Sequence, residues 1–167
     1  MTGAKEYIVS IDYGTVNPSL PDCGAFNGRT AQREAEVYYN SRETGKRVDD
    51  EAYYKMLKEL IGDRKVYCII IDPSAASFIE VIKKYGEYTV KKADNDVLDG
   101  IRVVTTMLNK GMLKIYEDCK DCINEFGMYR WDEEKSEDAV IKENDHAMDD
   151  TRYFCYTFLR RRLRWQY

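Results

Sequence analysis

The sequence predicts an α/β fold with a mixed β-sheet, opened by an antiparallel hairpin and flanked by helices on both faces. Three observations predict it. The runs Tyr7 to Ile11 and Val66 to Ile71 are apolar and rich in β-branched residues, as strands buried on both faces are. Asn27-Gly28 joins two short extended stretches, a hairpin signal. Beyond residue 48, stretches of helical periodicity alternate with strands, the pattern of crossover connections. With no internal repeat or low-complexity linker, the 167 residues read as a single domain over 1–167.

Tyr7 to Ile11 forms the first strand and delivers Asp12 to its C-terminal end. Asn17-Pro18-Ser19-Leu20-Pro21-Asp22 is a loop by its prolines. Cys23 to Phe26 and Ala31 to Tyr39 are the hairpin strands, the second half-exposed because Glu34, Glu36 and Tyr38 alternate with Ala35, Val37 and Tyr39. Ser41 to Arg47 is a basic loop. Asp49-Asp50-Glu51 opens a helix through Tyr53, Met56, Leu57, Leu60 and Ile61, which Gly62 stops. Val66 to Ile71 ends in Asp72-Pro73. Ser74 opens the next helix, closed by Gly86, and Tyr88-Thr89-Val90 is a brief strand. Asp96 to Asn109 is a helix with Val97, Ile101, Val104 and Leu108 on one face, and Met112 to Tyr116 is a short strand. Ile123 and Phe126 belong to a short helix, Tyr129 to Trp131 is extended, and Asp132 to Asn144 is a charged connection. The final helix runs from about Asp145 to Leu163.

Composition narrows the function. Lys plus Arg number 26 against 30 Asp plus Glu, a net charge of −4, which argues against a passive nucleic-acid binder but not against an enzyme whose acids hold cations. No apolar run is long enough to span a bilayer, and the first ten residues lack a signal-peptide core, so a cytoplasmic protein with no membrane partner is expected. The five cysteines are expected to be reduced, with the close pair Cys119 and Cys122 as buried or half-exposed helical thiols. Cys119 and Cys122 have C-x-x-C spacing, but a zinc site lacks a second pair.

The chemistry-bearing feature is a set of acids. Right-handed crossovers bring the ends of the first and fourth strands together, and those ends are Asp12 and Asp72, at the edge where α/β proteins bind ligands. Asp145-His146-Ala147-Met148-Asp149-Asp150 starts the last helix, where His146 shares a face with Asp149 or Asp150. Carboxylates gathered this way repel unless a cation neutralises them, and oxygen ligands with one imidazole suit magnesium or manganese. Two such ions roughly 4 Å apart activate a water and stabilise the leaving oxygen of a phosphodiester. The same residues also read without a metal: Asp12 and Asp72 as turn formers, Asp145 as an N-cap, Asp149 and Asp150 as favourable charge in a first turn, His146 as a surface histidine.

Ile11-Asp12-Tyr13-Gly14-Thr15-Val16-Asn17-Pro18, Ile70-Ile71-Asp72-Pro73-Ser74-Ala75 and Lys142-Glu143-Asn144-Asp145-His146-Ala147-Met148-Asp149 resemble the nuclease domain of tailed-phage or prophage terminase large subunits. Glu36 to Arg42 and Asn95 to Ile101 resemble it as well, in consistent order along nearly the whole chain. The resemblance implies a ribonuclease H-like fold and a metal-dependent endonuclease that cuts double-stranded DNA during genome packaging with two Mg2+ or Mn2+ ions. It assigns the bridging aspartate to Asp12, with Asp72, Asp149 and His146 completing the site. Asp150 stands where the family often has a small residue and competes with Asp149, which the three-residue spacing from the histidine favours. Pro21 and Asp22 depart from the family's apolar second strand.

Full-length terminase subunits carry an ATPase motor, but no G-x-x-x-x-G-K-[ST] occurs here. Gly45-Lys46-Arg47 is the nearest fragment. The chain is therefore expected to be the nuclease module without its motor and not to hydrolyse ATP. The resemblance implies as partners the ATPase domain of the same full-length protein, the portal and the small terminase subunit, in the host cytoplasm during virus assembly. Arg42, Lys46 and Arg47 beside Gly45, and Lys91 and Lys92, are candidate DNA-phosphate contacts. Arg160, Arg161, Arg162 and Arg164 end the last helix, where they complement its dipole or contact DNA or a packaging protein. An actin-like ATPase is rejected on length and the lack of a second phosphate loop. A resolvase or transposase core, and a non-catalytic docking module, are the alternatives.

Overall fold

The computed structural model describes residues 5–13, 21–37, 48–128 and 146–162. Arg42, Lys46, Arg47, Asp145, Arg164, the extended piece 129–131 and the connection 132–144 lie outside them. Six strands form one mixed sheet: β1 (Glu6–Ile11), β2 (Asp22–Phe26), β3 (Ala31–Glu36), β4 (Val66–Ile71), β5 (Val90–Lys92) and β6 (Leu113–Ile115), in the order β5-β4-β1-β2-β3-β6. β1-β2 and β2-β3 are antiparallel, whereas β4 on β1, β5 on β4 and β6 on β3 are parallel. The described helices are α1 (Asp50–Ile61), α2 (Ala76–Tyr85), α3 (Val97–Asn109), α4 (Lys120–Met128) and α5 (His146–Tyr153). A π-helical segment (Phe154–Leu159) continues α5 into a last turn, α6 (Arg160–Arg162).

The two central parallel strands are apolar on both sides because each face carries a helical layer. Ile8, Cys68 and Ile70 face a core with Val104 and Met107 of α3 and Tyr153, Phe154 and Phe158 of the C-terminal helix. Val9, Ile11, Ile69 and Ile71, the intervening residues, face Tyr53, Leu57, Phe78 and Ile82 of α1 and α2. Helix starts follow capping chemistry: Asp49 accepts from the Ala52 amide at 2.7 Å and Asp96 from the Asp99 amide at 3.0 Å. Glu36, at the end of β3, accepts the amides of Asp121 (2.7 Å) and Cys122 (3.0 Å) in the first turn of α4.

Several expectations shift. α2 begins at Ala76, not Ser74, because the Asp72 carboxylate captures the Ser74 amide at 2.7 Å and holds Asp72-Pro73-Ser74 as a turn. The brief strand is Val90–Lys92, so Lys91 and Lys92 lie within it rather than leaving it. Its pairing to β4, not its composition, sets the bounds. β3 ends at Glu36, where the carboxylate turns to α4. The last helix is interrupted by the π segment. All five cysteines are free and buried, with Cys23 and Cys68 on the strands in which the sequence places them. Burial pushes the Cys119 and Cys122 thiols up to about 12, which disfavours the thiolates a zinc ion needs.

The polar start of β2 also has a structural reason. Asp22 is buried and ion-paired with buried Arg33 on the neighbouring strand, and Arg33 also donates to the Ser10 hydroxyl at 2.8 Å. Opposite Arg33 in the ladder, Gly24 leaves room for the Phe154 ring, whose atoms would stand 2.7 Å from an added Cβ. Gly24→Ala should therefore cost about 1–3 kcal/mol by overpacking, read as a fall in the thermal midpoint of about 3 °C per kcal/mol. An unchanged midpoint would show that Phe154 is not the neighbour that fixes residue 24.

Candidate active site

The C-terminal ends of β1 and β4 sit side by side. Ile11 is in register with Ile71, and the Asp72 amide donates to the Ile11 carbonyl at 3.3 Å. Asp12 and Asp72 therefore leave the sheet together. The first residue of α5 closes on this point, with His146 Nδ1 hydrogen-bonded to Asp12 Oδ2 at 2.8 Å.

α5 is unusual in burying four consecutive polar residues, Asp149, Asp150, Thr151 and Arg152. Buried charges persist where they are paired and hydrogen-bonded, and Arg152 supplies much of this. Its Nε and Nη2 both donate to Asp149 Oδ1, at 3.2 and 2.9 Å. Nη2 also reaches Asn95 Oδ1 at 3.1 Å, and Nη1 the Asp96 carbonyl at 3.3 Å. The side chain lies over Gly100, where an added Cβ would be 2.5 Å from Arg152 Cγ.

The network continues to Asp72. Tyr153 donates its hydroxyl to Asp72 Oδ2 at 2.8 Å, and Asn95 Nδ2 approaches the same oxygen at 3.4 Å. Burial alone would raise the Asp72 pKa, but donation from Ser74 and Tyr153 and the charge of Arg152 outweigh it, holding the carboxyl below its ordinary value. Tyr153 is driven the other way by burial, the Asp12 charge and its bond to Asp72, so it remains a phenol donor.

Asp150 occupies a different setting. It is fully enclosed, and among the described residues its Oδ1 has no hydrogen-bond partner. Burial and the nearby Asp22, Asp12 and Asp149 charges push its pKa well up, against the opposing pull of Arg33. A carboxyl in that position favours its protonated form.

The structure thus brings Asp12 and His146 into contact, joins Asp72 and Asp149 through Asn95, Arg152 and Tyr153, and buries Asp150 behind them. Lys91 and Lys92 are exposed on the edge strand next to this end of the sheet. Asn95, Arg152 and Tyr153 were not singled out by sequence reasoning as site residues. The available signal was the i+3 and i+4 spacing of Arg152 and Tyr153 from Asp149 and Asp149's neighbours. The donor chemistry, carboxylate oxygens and one imidazole at a strand-end cleft, fits a hard divalent cation. Among the described residues, no three such side chains already converge as a closed cage.

Residues 10–157 match the model of a family described as the terminase RNaseH-like domain. The terminase large subunit of Escherichia phage T5 is 26% identical over 110 residues, covering 62% of this chain and 25% of its own length. Among solved structures, the large terminase of the thermophilic bacteriophage D6E in complex with ADP is 41% identical with a TM-score of 0.88, over 92% of this chain and 40% of its own. The large terminase nuclease domain of bacteriophage SPP1, solved with bound Mn, shares the fold at 15% identity and a TM-score of 0.63, over 91% of this chain and 85% of its own. The chain spans a quarter of the phage T5 subunit and two-fifths of the D6E protein.

Two outcomes test the network. Arg152→Ala leaves the Asp149 carboxylate buried without its guanidinium and should cost about 3–5 kcal/mol, measured by denaturant unfolding. A loss below about 1 kcal/mol would mean that the pair is solvated. Tyr153→Phe removes a donor to ionised Asp72, so the Asp72 midpoint should rise in a carboxyl NMR titration. A depressed native pKa gives stability above the unfolded value that is lost as pH falls through the native one. The variant should therefore lose less stability between neutral and acid pH than the parent.

Proposed function

The chain belongs to the family of terminase RNaseH-like domains, and on that premise we propose that it is the nuclease module of a terminase large subunit, an endonuclease that cuts double-stranded DNA in viral genome packaging. The observation that carries the reading is the pair of aspartates at adjacent strand ends, with His146 on Asp12 at 2.8 Å. Two divalent cations, magnesium or manganese, held by Asp12, Asp72, Asp149 and His146, would supply Lewis acidity at the scissile phosphodiester. The SPP1 domain's bound Mn supports that choice of ion. Asp149 is preferred to Asp150 as the third carboxylate. Asp149 is ion-paired with Arg152 in the network that reaches Asp72, whereas Asp150 lies enclosed behind it.

The chain's own residues do the positioning. His146 fixes the Asp12 carboxylate, while Tyr153 and Asn95 orient Asp72, and donation from Ser74 and Tyr153 favours its ionised form. Arg152 ties the α5 acid to the segment that follows β5, so that strand ends and helix form one rigid frame. Arg42, Lys46, Arg47, Lys91 and Lys92 are proposed to hold DNA phosphates. An ATPase domain of a longer protein is the proposed covalent partner, with the portal and small subunit as packaging partners in the host cytoplasm. No helix among the described residues is long and apolar enough to cross a membrane.

Incubation with supercoiled plasmid and manganese should nick or linearise it, and EDTA should abolish cutting. Asp12→Asn and Asp72→Asn should each lower the rate by at least about 100-fold, and Tyr153→Phe by roughly tenfold. If Asp72→Asn cuts as well as the parent, the site assignment is wrong.

A further inference from the structure

A second polar feature lies on the β5 edge of the sheet, outside the network of carboxylates. Between β5 and the C-terminal helix is a cleft of about 450 Å3, lined by Lys91, Lys92, Asp94, Phe158, Arg161 and Arg162 among others. Lys91, Lys92, Arg161 and Arg162 are exposed. The one acid in the lining is already answered: Asp94 pairs with Arg160 at 3.3 Å, and its amide donates to the Thr157 hydroxyl at 2.9 Å. Lys91 and Arg162 both pack on the Tyr67 ring, at 4.9 and 5.0 Å from its centroid, so two like charges are held against one aromatic. Arg162 has Glu6 at 3.5 Å, while among the described residues neither Lys92 nor Arg161 has an ion-pair partner.

Such an array is repulsive by itself and is relieved by an anion. The fold also says where that anion comes from. Lys92 is in register with Ile71, the residue before Asp72, so the cleft begins one strand spacing, about 4.8 Å, from the catalytic end of β4. A polyanion at the strand ends would meet Lys92 first, and the cleft leads from there along the β5 edge toward Arg162, which stands by Glu6 and Tyr67 at the other ends of β1 and β4. Phe158 is the aromatic of the lining and the other lining side chains include four long cations, which suits a phosphate backbone tracked without base contacts.

We propose that this cleft, with Arg161 and Arg162 joining Lys91 and Lys92, binds the phosphate backbone of double-stranded DNA as a contact separate from the metal-ligating acids. The identity of the polyanion rests on the nuclease reading; the site itself does not.

The test measures binding of a short labelled DNA duplex to the full chain by fluorescence anisotropy, in EDTA, over a series of salt concentrations. The double variant Lys92→Ala/Arg161→Ala should bind roughly tenfold or more weakly near 0.1 M salt, and its log–log salt slope should shrink by about two. The charge-preserving pair Lys92→Arg/Arg161→Lys should keep the parent's affinity and slope, which separates charge from fold damage. Parental affinity and slope in the alanine pair would overturn the proposal, as would equal weakness in both pairs. Because no cutting is read, a chain that binds duplex through the cleft yet never cuts plasmid with manganese keeps this inference and loses the nuclease reading.

Discussion

The rest of the structure depends on the parallel pairing of β1 with β4. Both strands are buried on two faces, so their register is set by packing on both sides, and a slip by one residue would exchange the cores. That register ends both strands at the same level, Ile11 against Ile71. Asp12 and Asp72 are thus brought together by hydrophobic packing rather than by any attraction of their own, and two adjacent carboxylates cost free energy. The aliphatic layers bear that cost, and the site inherits their rigidity.

The C-terminal helix is the second half of the arrangement. Its far end is an aromatic wedge, Phe154 and Phe158, pressed onto the sheet through the gap at Gly24. Its near end carries His146, Asp149 and Asp150 to the strand ends. The π-helical segment starts immediately after Tyr153 and changes the angular register, so the helix can direct Tyr153 at Asp72 and still turn both phenylalanines to the core. Arg152 is the hinge between these demands. It takes the charge of Asp149, hydrogen-bonds the strap at Asn95 and Asp96, and fits only because residue 100 has no side chain.

Legibility in the sequence followed burial and length. β1, β4 and α1 to α3 were readable because long apolar periodicities have few alternative explanations. β5 was not, since a three-residue strand of Val90, Lys91 and Lys92 owes its existence to the β4 edge beside it. Asp12 and Asp72 could be named from strand-end position alone. Their partners could not: Tyr153 and Asn95 are far from Asp72 along the chain, and nothing in one dimension says where a phenol points. Asp22 read as a departure in an apolar strand. It became intelligible only when the hairpin register brought Arg33 across to it, an interaction no linear spacing encodes. The ranking of Asp149 over Asp150 likewise rests on resemblance in the sequence, whereas the fold separates an ion-paired acid from an enclosed one.

The same distinction resolves the charge of the chain. A net charge of −4 argues for a surface that repels nucleic acid. Yet some of the acids are not on the surface. Among the described residues, Asp22, Asp72, Glu125, Asp149 and Asp150 are buried, against only Arg33 and Arg152 on the basic side. Part of the acidic charge is therefore inside, with Asp72 and Asp149 near the strand ends where cations would compensate it. The described surface charge is uneven, with Lys91, Lys92, Arg161 and Arg162 concentrated along one edge. Long-range repulsion depends on the net charge, but at physiological salt it is screened within about 8 Å. At contact range DNA would meet the edge lysines and arginines first, and the carboxylates only with their counter-ions. An acidic chain is in this way compatible with a polyanionic substrate, because the distribution of charge, and not its sum alone, decides which charges the substrate feels at contact.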